Sequence, residues 1–152
     1  MNATRTRYAT AADLDAAAAL FDGYRQFYQQ PSDLALARRF LTERFERKES
    51  VLIVAEDDNG TLIGFTQLYP TFCSVRAAHT FVLYDLFVTP AARGTGAGCA
   101  LMLAAEAHAR KAGAARMELS TARTNLIGQS LYESLGWERD ISFLVYGRNL
   151  RD

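Results

Sequence analysis

Long apolar runs, paired cysteines and an excess of charge of either sign are all missing from this 152-residue sequence. No stretch approaches the about 18 consecutive apolar residues of a transmembrane helix, so no membrane partner is expected. The 2 cysteines, Cys73 and Cys99, have no Cys or His neighbour at metal-ligand spacing, which argues against a metal site. Asp13 and Asp15 interrupt the alanine-rich N-terminal stretch, which therefore does not resemble a signal peptide. These absences predict a cytoplasmic protein with reduced thiols.

Positive and negative charges are balanced in this sequence. Lys and Arg total 17, Asp and Glu total 17, and residues 43–49 show how closely the two signs are interleaved. Binding to a phosphate backbone requires a clustered positive field, so no nucleic-acid partner is expected. Hydrophobic residues make up 49% of the chain and charged residues 22%, which is typical of an ordinary globular protein. This length fits one domain.

Apolar periodicity predicts alternating strands and helices. The predicted strands are Thr6–Ala9, Val51–Ala55, Leu62–Tyr69, Thr80–Val88, Arg116–Thr121 and Phe143–Tyr146. The predicted helices are Leu14–Tyr28 after a cap at Thr10 or Asp13, Leu34–Phe45, a third from near Gly96 to Ala112, and Leu126–Leu135. The order β-α-α-β-β-β-α-β-α-β is that of a mixed α/β domain.

Three glycines, at positions 94, 96 and 98, follow the fourth predicted strand. Glycine leaves the backbone bare, so a ligand can approach successive N–H groups closely. The first N–H groups of the following helix have no partner inside it, and the helix dipole makes this end partly positive. Arg93 adds a positive charge beside them. The segment therefore predicts a diphosphate-binding site.

A glycine-rich turn of this kind is also compatible with structures other than a diphosphate-binding site. A tight strand-to-helix turn can use glycine for packing alone. A dinucleotide-binding fold requires G-x-G-x-x-G, but Cys99 occupies the last glycine position, and residues 120–123 lack the expected carboxylate. A Walker loop requires Gly-Lys-Ser/Thr, which the sequence lacks. A coenzyme A (CoA) diphosphate loop and simple packing remain.

Residues 93–98, with the sequence R-G-T-G-A-G, resemble the R/Q-x-x-G-x-G/A signature of the GNAT superfamily of N-acetyltransferases. A second segment resembles the family motif N-x-x-A-x-x-L-Y-E-x-x-G-F, with Asn125, Leu131–Glu133 and Gly136–Trp137 at matching positions. Gly128 departs from it, since the family often has alanine there, and leaves extra space beside the cofactor. The element order also matches, so the resemblance covers nearly the whole chain.

The resemblance implies an α/β fold with a mixed, mostly antiparallel sheet of six to seven strands, a splayed central pair of strands and four helices. It implies a single domain over residues 1–152. Many relatives form dimers through their C-terminal strands, so a homodimer is expected by analogy. Arg25–Tyr28 together with Tyr84–Val88 resembles members that acetylate polyamines or basic protein tails.

The same resemblance implies that acetyl-CoA is the cosubstrate and that no metal takes part. The pantetheine arm would lie along the backbone of the central strand, in the gap left by the splay. N–H groups of the glycine-rich turn would bind the diphosphate, and an asparagine would bond the pantetheine from the other side. The cofactor-binding residues expected on this basis are Leu86, Phe87, Val88, Arg93, Gly94, Thr95, Gly96, Ala97, Gly98 and Asn125.

Tyr132 matches the tyrosine that serves the family as general acid. A thiolate whose thiol has a pKa of about 8.5 leaves more readily when a phenol with a pKa of about 10 donates a proton to it. The alternative is an amphipathic tyrosine that flanks the apolar stripe of Leu131 and Leu135.

Asp85, on the predicted central strand, is the candidate general base. An ammonium has no lone pair, so the acceptor must lose a proton before attack. In some relatives an acid near this position does this work; orienting the acceptor or pairing with an arginine are the alternatives for Asp85. Strand alternation places Tyr84 on the opposite face. The Val88 N–H is the candidate donor to the developing oxyanion.

The expected acceptor is a primary amine of a small molecule or peptide, bound beside aromatic side chains. The candidate substrate-binding residues are Tyr24, Tyr28, Tyr69 and Tyr84, whereas Phe27 and Phe72 are assigned to the core. The predicted reaction is direct acetyl transfer in a ternary complex. A CoA-sensing module without catalysis, and an acyltransferase with another acyl donor or acceptor, are the alternatives.

Overall fold

A computed structural model describes residues 3–151 of the chain. Contacts between residues group into two compact units, Met1–Ser120 and Thr121–Asp152. The first unit contains five strands and three helices. The second contains one helix, α4 (Leu126–Ser134), which corresponds to the fourth predicted helix. The order of the elements up to α4 is the order that the sequence predicts.

The elements of the first unit begin and end close to their predicted limits. The strands are β1 (Arg5–Tyr8), β2 (Val51–Glu56), β3 (Leu62–Cys73), β4 (Ala78–Val88) and β5 (Arg116–Glu118). The helices are α1 (Leu14–Phe27), α2 (Leu34–Glu46) and α3 (Ala97–Lys111). Asp33 caps α2, since its carboxylate accepts a hydrogen bond from the Leu36 N–H.

The five strands form one mixed sheet in the order β1-β2-β3-β4-β5. The strands from β1 to β4 pair antiparallel with their neighbours, and β5 lies parallel to β4. The expected count of six to seven strands is wrong for residues 3–151. Phe143–Tyr146, predicted as the last strand, is exposed and in no strand. Apolar character alone does not make a strand, because its backbone groups need a paired neighbour.

The core lies on both faces of the sheet. On one face, α1 and α2 cover a cluster that includes Phe21, Leu41 and Phe65, and on the other α3 places Leu101 against β2. Gly23 allows α1 to approach β4, because a Cβ there would lie 3.1 Å from Cζ of Phe87. This close contact brings the residues after Gly23 to the surface of β4.

A β-bulge interrupts the ladder between β3 and β4. Gln67 lies opposite Asp85, but the next pair is Leu68 and Leu83, so Tyr84 is the extra residue. A bulge bends its strand and re-aims the side chains on either side of it. Tyr84 is 63% exposed, whereas Asp85 is 4% exposed. The bulge interrupts the alternation along the strand from which the opposite orientation of these two side chains is predicted, so that orientation stays a prediction.

Candidate active site

One edge of β4 is open along its C-terminal half. In the part of the chain that the structure describes, β5 pairs only with Thr80–Val82, and β4 then continues alone on this side to Val88. This arrangement agrees with the splayed central pair that the resemblance implies. It leaves the backbone groups on this edge of β4 without a strand partner in the sheet.

The direction of the backbone groups on β4 follows from one hydrogen bond. The Thr89 N–H donates to the Ile63 carbonyl oxygen at 2.8 Å, so it points toward β3. Backbone groups alternate between the two edges of a strand, so those of Leu86 and Val88 face the open edge. The backbone of Phe87 faces β3 instead. Two of the three residues predicted to contact pantetheine therefore present N–H and C=O groups to the gap.

The glycine-rich turn follows directly at the end of β4. Pro90–Ala92 forms a 3-10 turn, and α3 then begins at Ala97. Gly94 and Gly96 have φ angles of 78° and 89°, in the left-handed region where a side chain is strained. A Cβ added at either glycine would meet nothing within 4 Å. The first N–H groups of α3, which have no partner inside the helix, come directly after this bare stretch of backbone.

Arg93 packs beside the turn rather than extending from it. Its Nε donates to the Val88 carbonyl oxygen at 3.1 Å. Its guanidinium lies 5.5 Å from the ring centroid of Phe87 and 5.9 Å from that of Phe27. These contacts are cation–π distances, and they hold a positive charge at the end of β4 next to the glycines.

Asp85 is a buried carboxyl group beside the bulge. Burial raises its pKa to about 6, because the low-dielectric interior disfavours the charged form. Hydrogen bonds from Gln67 and Tyr24 oppose this effect by stabilising the carboxylate. A carboxyl group with this pKa is ionised at neutral pH and still basic enough to accept a proton.

Gln67 contacts Asp85 directly, although the sequence motifs do not single it out. Its Nε2 donates to Oδ2 of Asp85 at 2.7 Å, and its side chain is fully buried. The sequence pattern that could have indicated Gln67 is a polar residue at an inward-facing position of an otherwise apolar strand, two residues after Phe65. Such a residue needs a buried hydrogen-bonding partner.

The four candidate tyrosines lie around the bulge in two pairs. The rings of Tyr24 and Tyr28 are 5.1 Å apart, and those of Tyr69 and Tyr84 are 5.5 Å apart. The Tyr24 hydroxyl links the pairs, since it lies 3.0 Å from the Tyr84 carbonyl oxygen. Burial raises the pKa of Tyr69 well above its usual value, and the charge of Asp85 adds to the effect. The structure therefore brings Tyr24 and Tyr69 to Asp85, and Tyr28 and Tyr84 pack against these two rings.

Two core assignments near these tyrosines are wrong. Phe27 is 47% exposed and Phe72 is 78% exposed. Phe27 lies in the last turn of α1 and contacts Tyr28 and Arg93, and Phe72 lies near the end of β3, where it contacts His79. Both occupy ends of elements that extend beyond the opposing layer, so no second layer covers them.

In the second unit, the Asn125 side chain caps α4. Its Oδ1 accepts from the Gly128 N–H at 3.1 Å, and its Nδ2 donates to Oγ1 of Thr121 at 3.0 Å. A Cβ at Gly128 would lie 2.9 Å from Cγ of Asn125. The expectation that Gly128 leaves extra space is therefore wrong, because the asparagine fills that space.

Tyr132 lies in the last turn of α4, at the base of a Schellman motif. The Trp137 N–H donates to the Tyr132 carbonyl oxygen at 3.0 Å, and the Gly136 N–H donates to that of Glu133 at 3.1 Å. Gly136 has a φ of 88°, which the motif requires. The L-Y-E-x-x-G-W segment thus sets the backbone position of the half-buried Tyr132.

His108 on α3 is half-buried, and its Nδ1 is 2.7 Å from the Tyr8 hydroxyl. Among residues 3–151, no three His, Cys, Asp or Glu side chains are close enough to hold a metal ion. None of the helices described is long and apolar enough to cross a membrane.

A family model described as the acetyltransferase (GNAT) family matches residues 16–137. The chain belongs to this family. It is 48% identical over 144 residues to N-acetyltransferase YhfO of Bacillus subtilis (strain 168), covering 95% of this chain and 96% of that one. The GNAT fold and acyltransferase class of this protein follow from these matches.

Solved structures of other acetyltransferases share the fold. A crystal structure of a probable acetyltransferase superimposes with a TM-score of 0.91 at 38% identity, covering 97% of this chain and 99% of that one. The aminoglycoside N-acetyltransferase AAC(6')-Iy, solved in complex with CoA, gives a TM-score of 0.80 at 20% identity and covers 97% of this chain and 96% of that one. The second likeness shows the fold alone.

Proposed function

We propose that this GNAT protein transfers an acetyl group from acetyl-CoA to a primary amine of a small molecule or peptide, directly within a ternary complex. The observation that carries the proposal is the position of Asp85. This buried carboxyl group lies on β4, whose open edge and terminal glycine-rich turn offer a site for the acyl donor. Donor site and base thus belong to one strand of one unit.

The residues present fit a CoA diphosphate. Gly94 and Gly96, directly before the first N–H groups of α3, have open space beside them, and that space would be reduced by any side chain at either position. Arg93 contributes a positive charge beside them. Leu86 and Val88 present backbone groups along the open edge for the amides of the pantetheine arm. The CoA complex of AAC(6')-Iy, which has the same fold, supports this assignment.

Gly96→Ala should weaken CoA binding at least tenfold, because the new methyl group enters the open space and the left-handed backbone becomes strained. Titration calorimetry with CoA measures the effect. Gly60→Ala is the matched control, since Gly60 has a φ of 78° and open space around it but lies in the β2–β3 turn. Both variants should lose about 1 kcal/mol of stability. Equal CoA affinity in the two variants would contradict the assignment.

Asp85 prepares the acceptor in this proposal. At neutral pH its carboxylate accepts a proton from the acceptor ammonium, and the free amine then attacks the thioester carbonyl carbon. Tyr24 and Tyr69 interact with Asp85, Tyr28 and Tyr84 pack against their rings, and such rings attract ammonium groups. This combination supports a cationic acceptor such as a polyamine or a basic peptide tail.

In the remaining steps the negative charge on oxygen is stabilised and the departing sulfur is protonated. The Val88 N–H faces the open edge of β4 and is the proposed donor to the oxyanion. The C–S bond then breaks, and CoA leaves as a thiolate that accepts the hydroxyl proton of Tyr132. The second proton that the nitrogen loses restores the Tyr132 hydroxyl, and Asp85 releases the first proton to solvent. The products are the acetylated amine and CoA with a free thiol. The role of Tyr132 rests on its place in the L-Y-E motif.

An acceptor screen tests the proposal. Acetyl-CoA is incubated with polyamines, amino acids, aminoglycosides or lysine peptides, and release of the free thiol is recorded. We expect amine-dependent release with at least one class and no release with hydroxyl analogues. CoA binding without release from any amine would favour a CoA-sensing module instead. Release only with other acyl-CoA donors would point to a different acyl group. A homodimer and a cytoplasmic location stay predictions.

A further inference from the structure

A buried polar chain links Asp85 to the start of β2. The Gln67 Nε2 donates to Oδ2 of Asp85 at 2.7 Å, and the Ser50 Oγ donates to Oε1 of Gln67 at 2.8 Å. Gln67 is 0% exposed, and its Cα lies directly opposite that of Asp85, next to the bulge. Both ends of one amide are therefore occupied inside the sheet.

The carboxylate fixes the orientation of the amide, because an ionised carboxylate only accepts and the NH₂ group must therefore face it. The Ser50 hydroxyl can donate or accept, and in this orientation it donates to the remaining amide oxygen. Rotating the amide by half a turn would place its oxygen against Asp85 and remove the donor from the carboxylate. A buried amide is stable only with such hydrogen-bond partners. If the side chain at position 67 served only the stability of the fold, an apolar residue would do so without needing them.

We infer that Gln67, whose amide oxygen accepts a hydrogen bond from Ser50, is a positioning residue that holds the Asp85 carboxylate in place and keeps it ionised for proton transfer from the acceptor. The catalytic part of this inference rests on the proposed function. Its structural part, the control of Asp85 ionisation by Gln67, does not. Neither Gln67 nor Ser50 belongs to the family motifs at residues 93–98 and 125–137.

Other groups near Asp85 also influence the ionisation of this carboxyl group or of its neighbour Tyr69. Tyr24 on α1 also hydrogen-bonds the carboxyl group, and Tyr69 on β3 interacts with its charge. Arg44 on α2 and Glu49 act with opposite sign on Tyr69. The N–H donor of Gln67 is the largest influence that lowers the pKa of Asp85 against the effect of burial.

Gln67→Met tests the inference, because methionine keeps the length and volume of the side chain but has no N–H group. Without the donor, the pKa of Asp85 should rise by about one unit. At pH 6 the ionised fraction, and with it kcat, should fall about fivefold, and at pH 7 about twofold. The acid limb of the pH–rate profile should move by the same amount.

Two further variants provide a second probe of the Gln67 hydrogen bond and a matched control. Ser50→Ala leaves Gln67 in place but removes the donor to its amide oxygen, so a smaller shift in the same direction is expected. Thr66→Val is the matched control: Thr66 is equally buried, and its Oγ1 donates at 2.8 Å to the backbone oxygen of Asp85, not to the carboxylate. That variant should lose stability without any shift.

The direct readout is the carboxyl ¹³C titration of Asp85 in the free protein, which needs no activity. An upward shift in Gln67→Met and Ser50→Ala with none in Thr66→Val supports the inference. Unchanged titration in Gln67→Met overturns it, and if that variant does not fold, unchanged titration in Ser50→Ala does so. If the wild type shows the expected titration but acetylates no amine, the proposed function fails while the control of ionisation by Gln67 stands.

Discussion

Tyr132→Phe lowers kcat about 100-fold and leaves the Kd of acetyl-CoA within about twofold of the wild-type value. The reason is that phenylalanine keeps the half-buried ring but lacks the hydroxyl group, which supplies the proton that the departing thiolate requires. The backbone of residue 132 is unaffected, because its carbonyl oxygen still accepts from the Trp137 N–H in the Schellman motif. Steady-state rates over a range of pH, together with calorimetry, measure both quantities.

Tyr146→Phe provides the control for this prediction. Tyr146 lies in the same unit, is 89% exposed and belongs to neither motif, so its hydroxyl group should be dispensable. Similar melting temperatures of both variants would show that neither change disturbs the fold. Full activity of Tyr132→Phe at every pH would contradict the role of Tyr132 as general acid, and would leave it as a packing residue beside Leu131.

Asp85→Asn should abolish most activity and at the same time stabilise the protein above pH 7. Asparagine has the shape of the carboxyl group and retains an oxygen for the Gln67 N–H, but it accepts no proton, so kcat should fall by two orders of magnitude or more. Opposite changes in activity and stability are typical of a residue whose burial serves function. No purely structural role of Asp85 predicts both effects.

The sign of the stability effect follows from the raised pKa of Asp85. The folded state holds its proton up to a pKa of about 6, and the unfolded state releases it near 3.8. The contribution of this group to stability is therefore fully present below about pH 4 and is lost as the pH rises through 6. At pH 8 the charged carboxylate costs up to about 3 kcal/mol, which the asparagine variant recovers.

Urea unfolding of wild type and Asp85→Asn at pH 4 and pH 8 measures the difference. The variant should be more stable at pH 8 and show no such gain at pH 4. Asp15→Asn is the control, because Asp15 is exposed in its surface ion pair with Arg38 and should change stability by less than about 1 kcal/mol at either pH. A variant of Asp85 that is less stable than wild type at pH 8 would contradict this account.

Sequence periodicity and capping were sufficient for most of the fold. The helix after the glycine-rich turn was predicted from near Gly96, and it begins at Ala97. The helix predicted over Leu34–Phe45 likewise matches α2, which spans Leu34–Glu46. These features depend on local geometry, which the order of residues determines.

Features that depend on distant residues could not be predicted in this way. The bulge at Tyr84 and the bond from Gln67 to Asp85 arise from the register between β3 and β4, which no local pattern specifies. Phe27 and Phe72 are apolar but exposed, because their positions at the ends of elements depend on what packs opposite them. Phe143–Tyr146 has the composition of a strand without being paired as one.

Calorimetric titration of the purified protein with CoA, compared with pantetheine, tests the central claim most directly. Pantetheine has the same thiol arm but lacks the diphosphate and the 3′-phosphoadenosine beyond it, so the comparison measures the contribution of that half of CoA, which includes its contact with the amides between Arg93 and Gly98. The account predicts saturable CoA binding and at least 100-fold weaker binding of pantetheine. Absence of CoA binding at millimolar concentration, or equal affinity for the two compounds, would contradict it.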